Sequence, residues 1–119
     1  MGFTYADVRT CDPADRGKNR DVKLLVESGA VYTLIRGDQL EELRIMPEAK
    51  RRFKLADGKI IERRFGAAII ECKKESAGTL VILGEPYDTE VLGVHALEGL
   101  GFELDLVTKE LKPMTLFLV

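Results

Sequence analysis

One stretch of the sequence decides the fold, Leu24-Leu25-Val26-Glu27-Ser28-Gly29-Ala30-Val31-Tyr32-Thr33-Leu34-Ile35. The aliphatic and β-branched residues at its two ends are typical of two strands that leave the same core. Between them, Gly29 lets the backbone turn sharply, and Ser28 supplies a hydroxyl that can hold a neighbouring carboxylate. The stretch therefore predicts a carboxylate, Glu27, at the mouth of an apolar strand. The alternative is a solvated strand end followed by an ordinary Ser-Gly turn.

Composition narrows the class of protein. The chain has 119 residues, and we predict a single domain over residues 1–119. Its 18 basic and 20 acidic residues give a net charge of −2, which offers no electrostatic case for nucleic acid or an anionic membrane. The apolar runs are shorter than the roughly 20 residues that span a bilayer, and no signal sequence is recognisable, so we expect a cytoplasmic protein. Two cysteines, Cys11 and Cys72, and one histidine predict free thiols, no metal site and no cofactor.

The first half of the chain is predicted to be mostly β-strand. We predict strands over residues 3–10, 20–26 and 31–35, with a loop of turn-forming residues over 12–19. Asp38 and Glu41 match a capping box at the start of a short helix, in which Leu40 and Leu43 share one face. Pro47 is expected to end that helical region.

A hairpin is predicted around Asp57-Gly58, which separates extended runs over residues 53–56 and 59–65. Its arms carry several arginines and lysines, including Arg63 and Arg64, which could form a basic arm for nucleic acid. The same residues alternate with apolar ones as on a solvent-facing ribbon, and the whole chain is slightly acidic, so we do not expect nucleic-acid binding. Two further strands, 67–72 and 79–83, are expected on either side of a polar connection over residues 73–78.

The last third contains a second informative pattern, Val91-Leu92-Gly93 followed by a helix over residues 94–100. Gly101 stands where a left-handed residue usually ends a helix. A hairpin-like unit over residues 102–111 and an apolar strand over 116–119 complete the chain. That last strand would leave an exposed apolar edge unless another chain paired with it.

The order of these signals resembles the retropepsin-like aspartic proteases, whose pattern is a strand, Asp-Thr/Ser-Gly-Ala, a strand, a flap hairpin, and an apolar-apolar-Gly element with a short helix. The corresponding residues are Glu27-Ser28-Gly29-Ala30, the flap residues Ala56-Asp57-Gly58-Lys59, and Leu92-Gly93 as the second loop of the site. The resemblance covers most of the chain. It implies a mostly β, closed-barrel acid protease fold with one or two short helices.

The resemblance also implies an activity and a partner. In the family, one Asp from each of two chains meets across a two-fold axis, shares a proton and activates a water that attacks a peptide carbonyl. The four residues Glu27-Ser28-Gly29-Ala30, here called the tetrad, occur once in the chain and supply half of such a site. A homodimer and a peptide or protein substrate are therefore expected. Here Glu27 replaces that Asp, and two Glu side chains must fold back by about 3 Å in total. Activity well below that of an Asp enzyme, or none, is expected, because a misplacement of about 1 Å can cost on the order of 100-fold in rate.

Two other functions remain open at this stage. A non-catalytic homodimer of the same fold could use the cleft as a peptide-binding groove. A small β-barrel or sandwich module could carry its function in the basic hairpin, with the tetrad serving only as a turn.

Overall fold

The computed structural model describes residues 2–119, and most of their regular structure is β-sheet. Its elements are, in chain order, β1 (Tyr5–Asp12), β2 (Asp15–Val26), β3 (Thr33–Arg36), α1 (Gly37–Glu42), β4 (Ala49–Lys54), β5 (Ile60–Cys72), β6 (Glu75–Gly84), β7 (Val91–Leu92), α2 (Val94–Leu100), β8 (Phe102–Leu104) and β9 (Leu111–Pro113). The expectation of a mostly β chain with one or two short helices is therefore confirmed, and there are two within residues 2–119. Neither helix is long and apolar enough to cross a membrane.

Seven strands form one sheet in the order β1-β2-β7-β3-β6-β5-β4. β1 also pairs with β5 through Arg9 to Cys11, so the strand pairings return to their starting point. β4 lies outside this circuit and, within residues 2–119, pairs with β5 alone. β8 and β9 form a separate two-stranded sheet.

The core lies between the inward faces of the strands and the two helices. β1 alternates as a half-buried strand should, with Ala6 and Val8 inside and their neighbours exposed. Leu40 and Leu43 are both buried, as the helical spacing predicted. Helix α2 covers one end of the core with Leu97 and its other apolar residues. Gly101 ends this helix with φ +79°, so the predicted left-handed stop is confirmed.

Two predicted loops are instead mostly strand. The β1–β2 hairpin turns at Pro13-Ala14, and residues 15–19, predicted as loop, belong to β2. The β5–β6 hairpin turns at Lys73 and Lys74, and the polar residues 75–78 lie within β6. In both hairpins, pairing with the partner strand outweighs the local preference of polar residues for loops.

Two other details of the prediction are wrong. α1 begins at Gly37, so Asp38 lies in its first turn and bonds Arg36 and Gln39 instead of capping the helix. Leu116 to Val119 are not in a strand, and they are exposed. A strand requires a partner for its backbone groups, and no segment within residues 2–119 pairs with them.

Candidate functional site

Glu27 lies immediately after β2, where the chain makes a tight turn. Its backbone N–H donates to Leu92 O at 3.2 Å, and its carbonyl accepts from Ala30 N at 3.1 Å. The Gly29 N–H donates to Glu27 Oε1 at 3.0 Å, which holds one carboxylate oxygen against the turn. A Cβ at Gly29 would stand 3.3 Å from that oxygen, closer than most Cβ contacts. The tetrad thus forms a hydrogen-bonded turn, and the bond from Gly29 fixes the direction of the Glu27 carboxylate.

The predicted second loop, Leu92-Gly93, packs directly against the tetrad. Leu92 lies in β7, which runs parallel to β2, and its side chain is buried. The Gly93 N–H donates to Thr33 Oγ1 at 3.1 Å. A Cβ at Gly93 would lie 2.5 Å from Tyr32 O, so only glycine permits this approach.

The first turn of α2 ties the other side of the tetrad. Val94 N–H donates to Ala30 O at 2.8 Å, and His95 N–H donates to Val31 O at 2.9 Å. These two bonds satisfy helix N–H groups that have no partner inside the helix. His95 itself is exposed, and its ring meets the edge of Tyr32. Its contribution to the site is therefore made through its backbone.

Glu27 opens into a cleft of about 650 Å³ between the tetrad and the β4–β5 hairpin. Gly29 and Ala30 line one wall, and Ala56 lines the other. The floor is apolar. Its residues come from β3, β5, β6 and β7 and comprise Leu34, Ile61, Ile82 and Val91. Ser28 lines a different, smaller cavity of about 250 Å³ beside α2. The structure thus brings three of the four tetrad residues together with the hairpin.

The β4–β5 hairpin forms at the predicted place. Gly58 has φ +89° at its tip, Lys59 N–H donates to Asp57 Oδ1 at 2.9 Å, and Leu55 N–H closes the loop on Lys59 O at 2.8 Å. Further down, the Phe53 ring meets the edge of Tyr32 with centroids 6.0 Å apart. This contact joins the hairpin to the segment that follows the tetrad.

Sequence reasoning missed most of the residues that line the cleft, among them Tyr32, Arg52, Phe53 and Lys54. The available signal was the alternation of Arg52, Phe53 and Lys54 on a strand next to the predicted flap. The alternation by itself indicates a solvent-facing ribbon, whereas in the structure β4 borders the cleft.

The three other arginines of the hairpin contact partners within the protein. Arg63 binds Asp88 through two hydrogen bonds of 2.8 and 2.9 Å, and Arg64 lies 2.9 Å from Glu41. Arg51 stacks over the Phe65 ring at 4.3 Å. The hydrogen bonds from Arg63 hold the pKa of the Asp88 carboxyl below its ordinary value.

The two cysteines are free and buried, and burial raises the pKa of both thiols. In the β1–β5 pairing Cys11 stands opposite Ile69, and the same register places Cys72 level with Val8. Three residues along a strand is about 10 Å, beyond the roughly 7 Å limit for a disulfide. Within residues 2–119, no group of three or more His, Cys, Asp or Glu is placed to hold a metal ion.

No protein-family model and no curated protein sequence matches the chain.

Proposed function

We propose that the chain is a retropepsin-like aspartic endopeptidase that works as a homodimer. The observation that carries the proposal is the cleft of about 650 Å³ in which Glu27 faces a projecting hairpin. A carboxylate set by a tight turn, opposite a β-ribbon that can close over an extended chain, is the arrangement that peptide hydrolysis by activated water needs.

The surroundings of the cleft support the same assignment. The backbone bonds from Glu27 to Leu92 and from α2 to Ala30 join the tetrad and the apolar-apolar-Gly element into one unit. The strand pairings that run from β1 round to β5 and back to β1 support the proposal of a closed barrel of the acid protease type. In this proposal the hairpin Ala56-Asp57-Gly58-Lys59 serves as the flap, and Ala56 is its residue that lines the cleft.

A second copy of the chain is needed for the chemistry, because each chain brings one tetrad. In the dimer, one Glu27 carboxylate removes a proton from water, and the water oxygen bonds to the peptide carbonyl carbon. The partner chain's equivalent carboxyl, which is protonated, donates its proton to the carbonyl oxygen. When the C–N bond breaks, the leaving nitrogen takes a proton from the first carboxyl, and one hydroxyl of the gem-diol re-forms the carbonyl by returning its proton to the partner chain's carboxylate. The exposed position of Glu27 on one chain leaves room for this approach.

A cleavage screen tests the proposal directly. A mixed peptide library is incubated at acidic to neutral pH with the unmodified protein, Glu27→Asp and Glu27→Ala. We expect weak cleavage by the unmodified protein, about 100-fold more by Glu27→Asp, and none by Glu27→Ala. Glu62→Asp, which shortens an exposed carboxylate outside the cleft lining, is the matched control and should change nothing. If Glu27→Asp is dimeric and still inactive, the protein is not a peptidase.

One observation favours a second function, a non-catalytic peptide-binding groove. β4 has no strand on its outer side within residues 2–119, so it can pair with an extended peptide without any carboxylate chemistry. This function predicts that peptide binding, measured by fluorescence anisotropy, survives Glu27→Ala. Loss of binding in that variant would exclude it.

A further inference from the structure

The outer edge of β4 borders the cleft. Residues 52–56 all contribute to its lining, although side chains of successive strand residues point to opposite faces. Because residues from both faces of β4 line the cleft, the strand borders the cleft along its edge. The exposure of most β4 side chains agrees with an uncovered edge.

The hairpin register shows which backbone groups that edge presents. Leu55 N–H bonds to Lys59 O, so Leu55 and Lys59 form a hydrogen-bonded pair. Bonded and non-bonded pairs alternate along an antiparallel ladder, and the register from Ala49 to Lys54 is continuous. Arg52 and Lys54 are therefore in non-bonded pairs, and their N–H and C=O groups point away from β5 toward the cleft.

The same two residues supply positive charge that the chain does not neutralise by an ion pair. Within residues 2–119, neither Arg52 nor Lys54 takes part in an ion pair, whereas Arg63 and Arg64 do. They lie two apart on one face of β4. Phe53, between them, points to the other face and meets Tyr32.

From these features we propose that Arg52 and Lys54 make the cleft selective for extended peptides with the pattern acidic-apolar-acidic. The peptide adds to the free edge of β4 as a strand. Its two acidic side chains lie opposite Arg52 and Lys54, where directly facing residues have Cβ atoms about 5 Å apart. Its apolar side chain lies between them on the face of Phe53, toward the apolar floor. This inference rests on the proposed function of the cleft as a peptide site.

Binding measurements test it independently of catalysis. All proteins carry Glu27→Gln, which keeps the acceptor oxygen for Gly29 N–H and prevents turnover. The probes are three fluorescein-labelled peptides with blocked ends, Ser-Val-Glu-Val-Glu-Val-Ser and its versions with Gln or Lys in place of both Glu. Fluorescence anisotropy gives each Kd at low and high ionic strength.

The protein that keeps Arg52 and Lys54 should bind the Glu peptide about 5- to 20-fold more tightly than the Gln peptide at low ionic strength, as two cross-strand charge pairs predict. High ionic strength should reduce this ratio. Arg52→Gln with Lys54→Gln should bring it close to one, and Arg52→Glu with Lys54→Glu should favour the Lys peptide. Lys73→Gln with Lys74→Gln, in the β5–β6 turn, removes the same charge elsewhere and should keep the ratio.

The possible results distinguish a failure of the charge selectivity from a failure of the peptide site itself. Equal binding of Glu and Gln peptides, or a ratio that survives in Arg52→Gln with Lys54→Gln, overturns the selectivity and leaves the peptide site intact. Absence of binding by all three peptides argues against the peptide site as well as the selectivity.

Discussion

At the scale of single residues, the least exposed ion pair within residues 2–119 joins Arg63 to Asp88. The two side chains are 12% and 14% exposed, and both guanidinium-to-carboxylate bonds are shorter than 3.0 Å. Asp88 Oδ2 also accepts from Glu85 N at 2.7 Å. The pair therefore connects β5, the second strand of the β4–β5 hairpin, to the segment between β6 and β7.

Asp88→Asn should lower the free energy of unfolding at pH 7 by about 2 kcal/mol, because it leaves the partly buried Arg63 charge without its partner. The pKa of Asp88 is lowered in the folded protein, so its contribution is present at neutral pH. It is lost as the pH falls below about 4 and through the folded pKa. Urea unfolding at pH 7 and pH 3 should thus show a difference between the two proteins that shrinks in acid.

The exposed pair Arg9–Asp21 provides the control for that measurement. Its side chains are 50% and 79% exposed, so Asp21→Asn should leave the free energy of unfolding almost unchanged. Two results would show that the Arg63–Asp88 pair does not stabilise the attachment of β5 to the segment between β6 and β7. One is a decrease in the free energy of unfolding at pH 7 that is no larger for Asp88→Asn than for Asp21→Asn, and the other is a decrease that does not depend on pH.

At the scale of elements, the β5–β6 turn is the point where local sequence disagrees most with structure. Lys73 and Lys74 have φ of +50° and +71°, so both central residues of a two-residue hairpin are left-handed. Such a turn favours Asn-Gly, and lysine pays a steric cost in this region. The nine paired residues from Arg64 to Cys72 hold the turn in place.

Lys73→Asn with Lys74→Gly should therefore raise the free energy of unfolding by about 1 kcal/mol, because it removes the strain without changing the register. Chemical denaturation measures this directly. Lys73→Gln with Lys74→Gln loses the same charge but keeps two ordinary side chains, and it should give no gain. An equal gain in both variants would assign the effect to charge instead of backbone conformation.

At the scale of the whole molecule, Leu116 to Val119 form an exposed apolar segment. Phe117 and Leu118 are 99% and 95% exposed. Phe3 and Val107 are also largely exposed. An apolar segment of this kind is typical of a protein-protein contact, and a second copy of the chain is the partner that the proposed chemistry requires.

Deletion of residues 116–119 should convert the proposed homodimer to a monomer and abolish the proposed peptide cleavage, because each chain carries one Glu27. Sedimentation equilibrium measures the mass, and far-ultraviolet circular dichroism should show unchanged sheet content, since the deleted residues lie outside the strands. Phe117→Ser with Leu118→Ser keeps the chain length and should have the same effect. A deleted protein that stays dimeric would place the interface elsewhere.

The features that the sequence determined by itself are those with short-range causes. Gly101 ends a helix and Asp57-Gly58 makes a hairpin because the left-handed region is open to glycine. Leu40 and Leu43 share one buried face because helical spacing puts them there. The apolar runs around Glu27 became β2 and β3 for a similar reason, since β-branched residues suit a pleated surface.

Only the tertiary structure decided what depends on residues far apart in the chain. The lysine turn at Lys73-Lys74 exists because β5 and β6 pair along their length, which outweighs the local preference. Val26 meets Leu92 across a parallel pairing that no local pattern specifies. The order of strands in the sheet leaves the outer edge of β4 unpaired within residues 2–119, and this edge borders the cleft. Arg52 and Lys54 therefore became cleft residues through the position of their strand, and their sequence alone predicted only a solvent-facing ribbon.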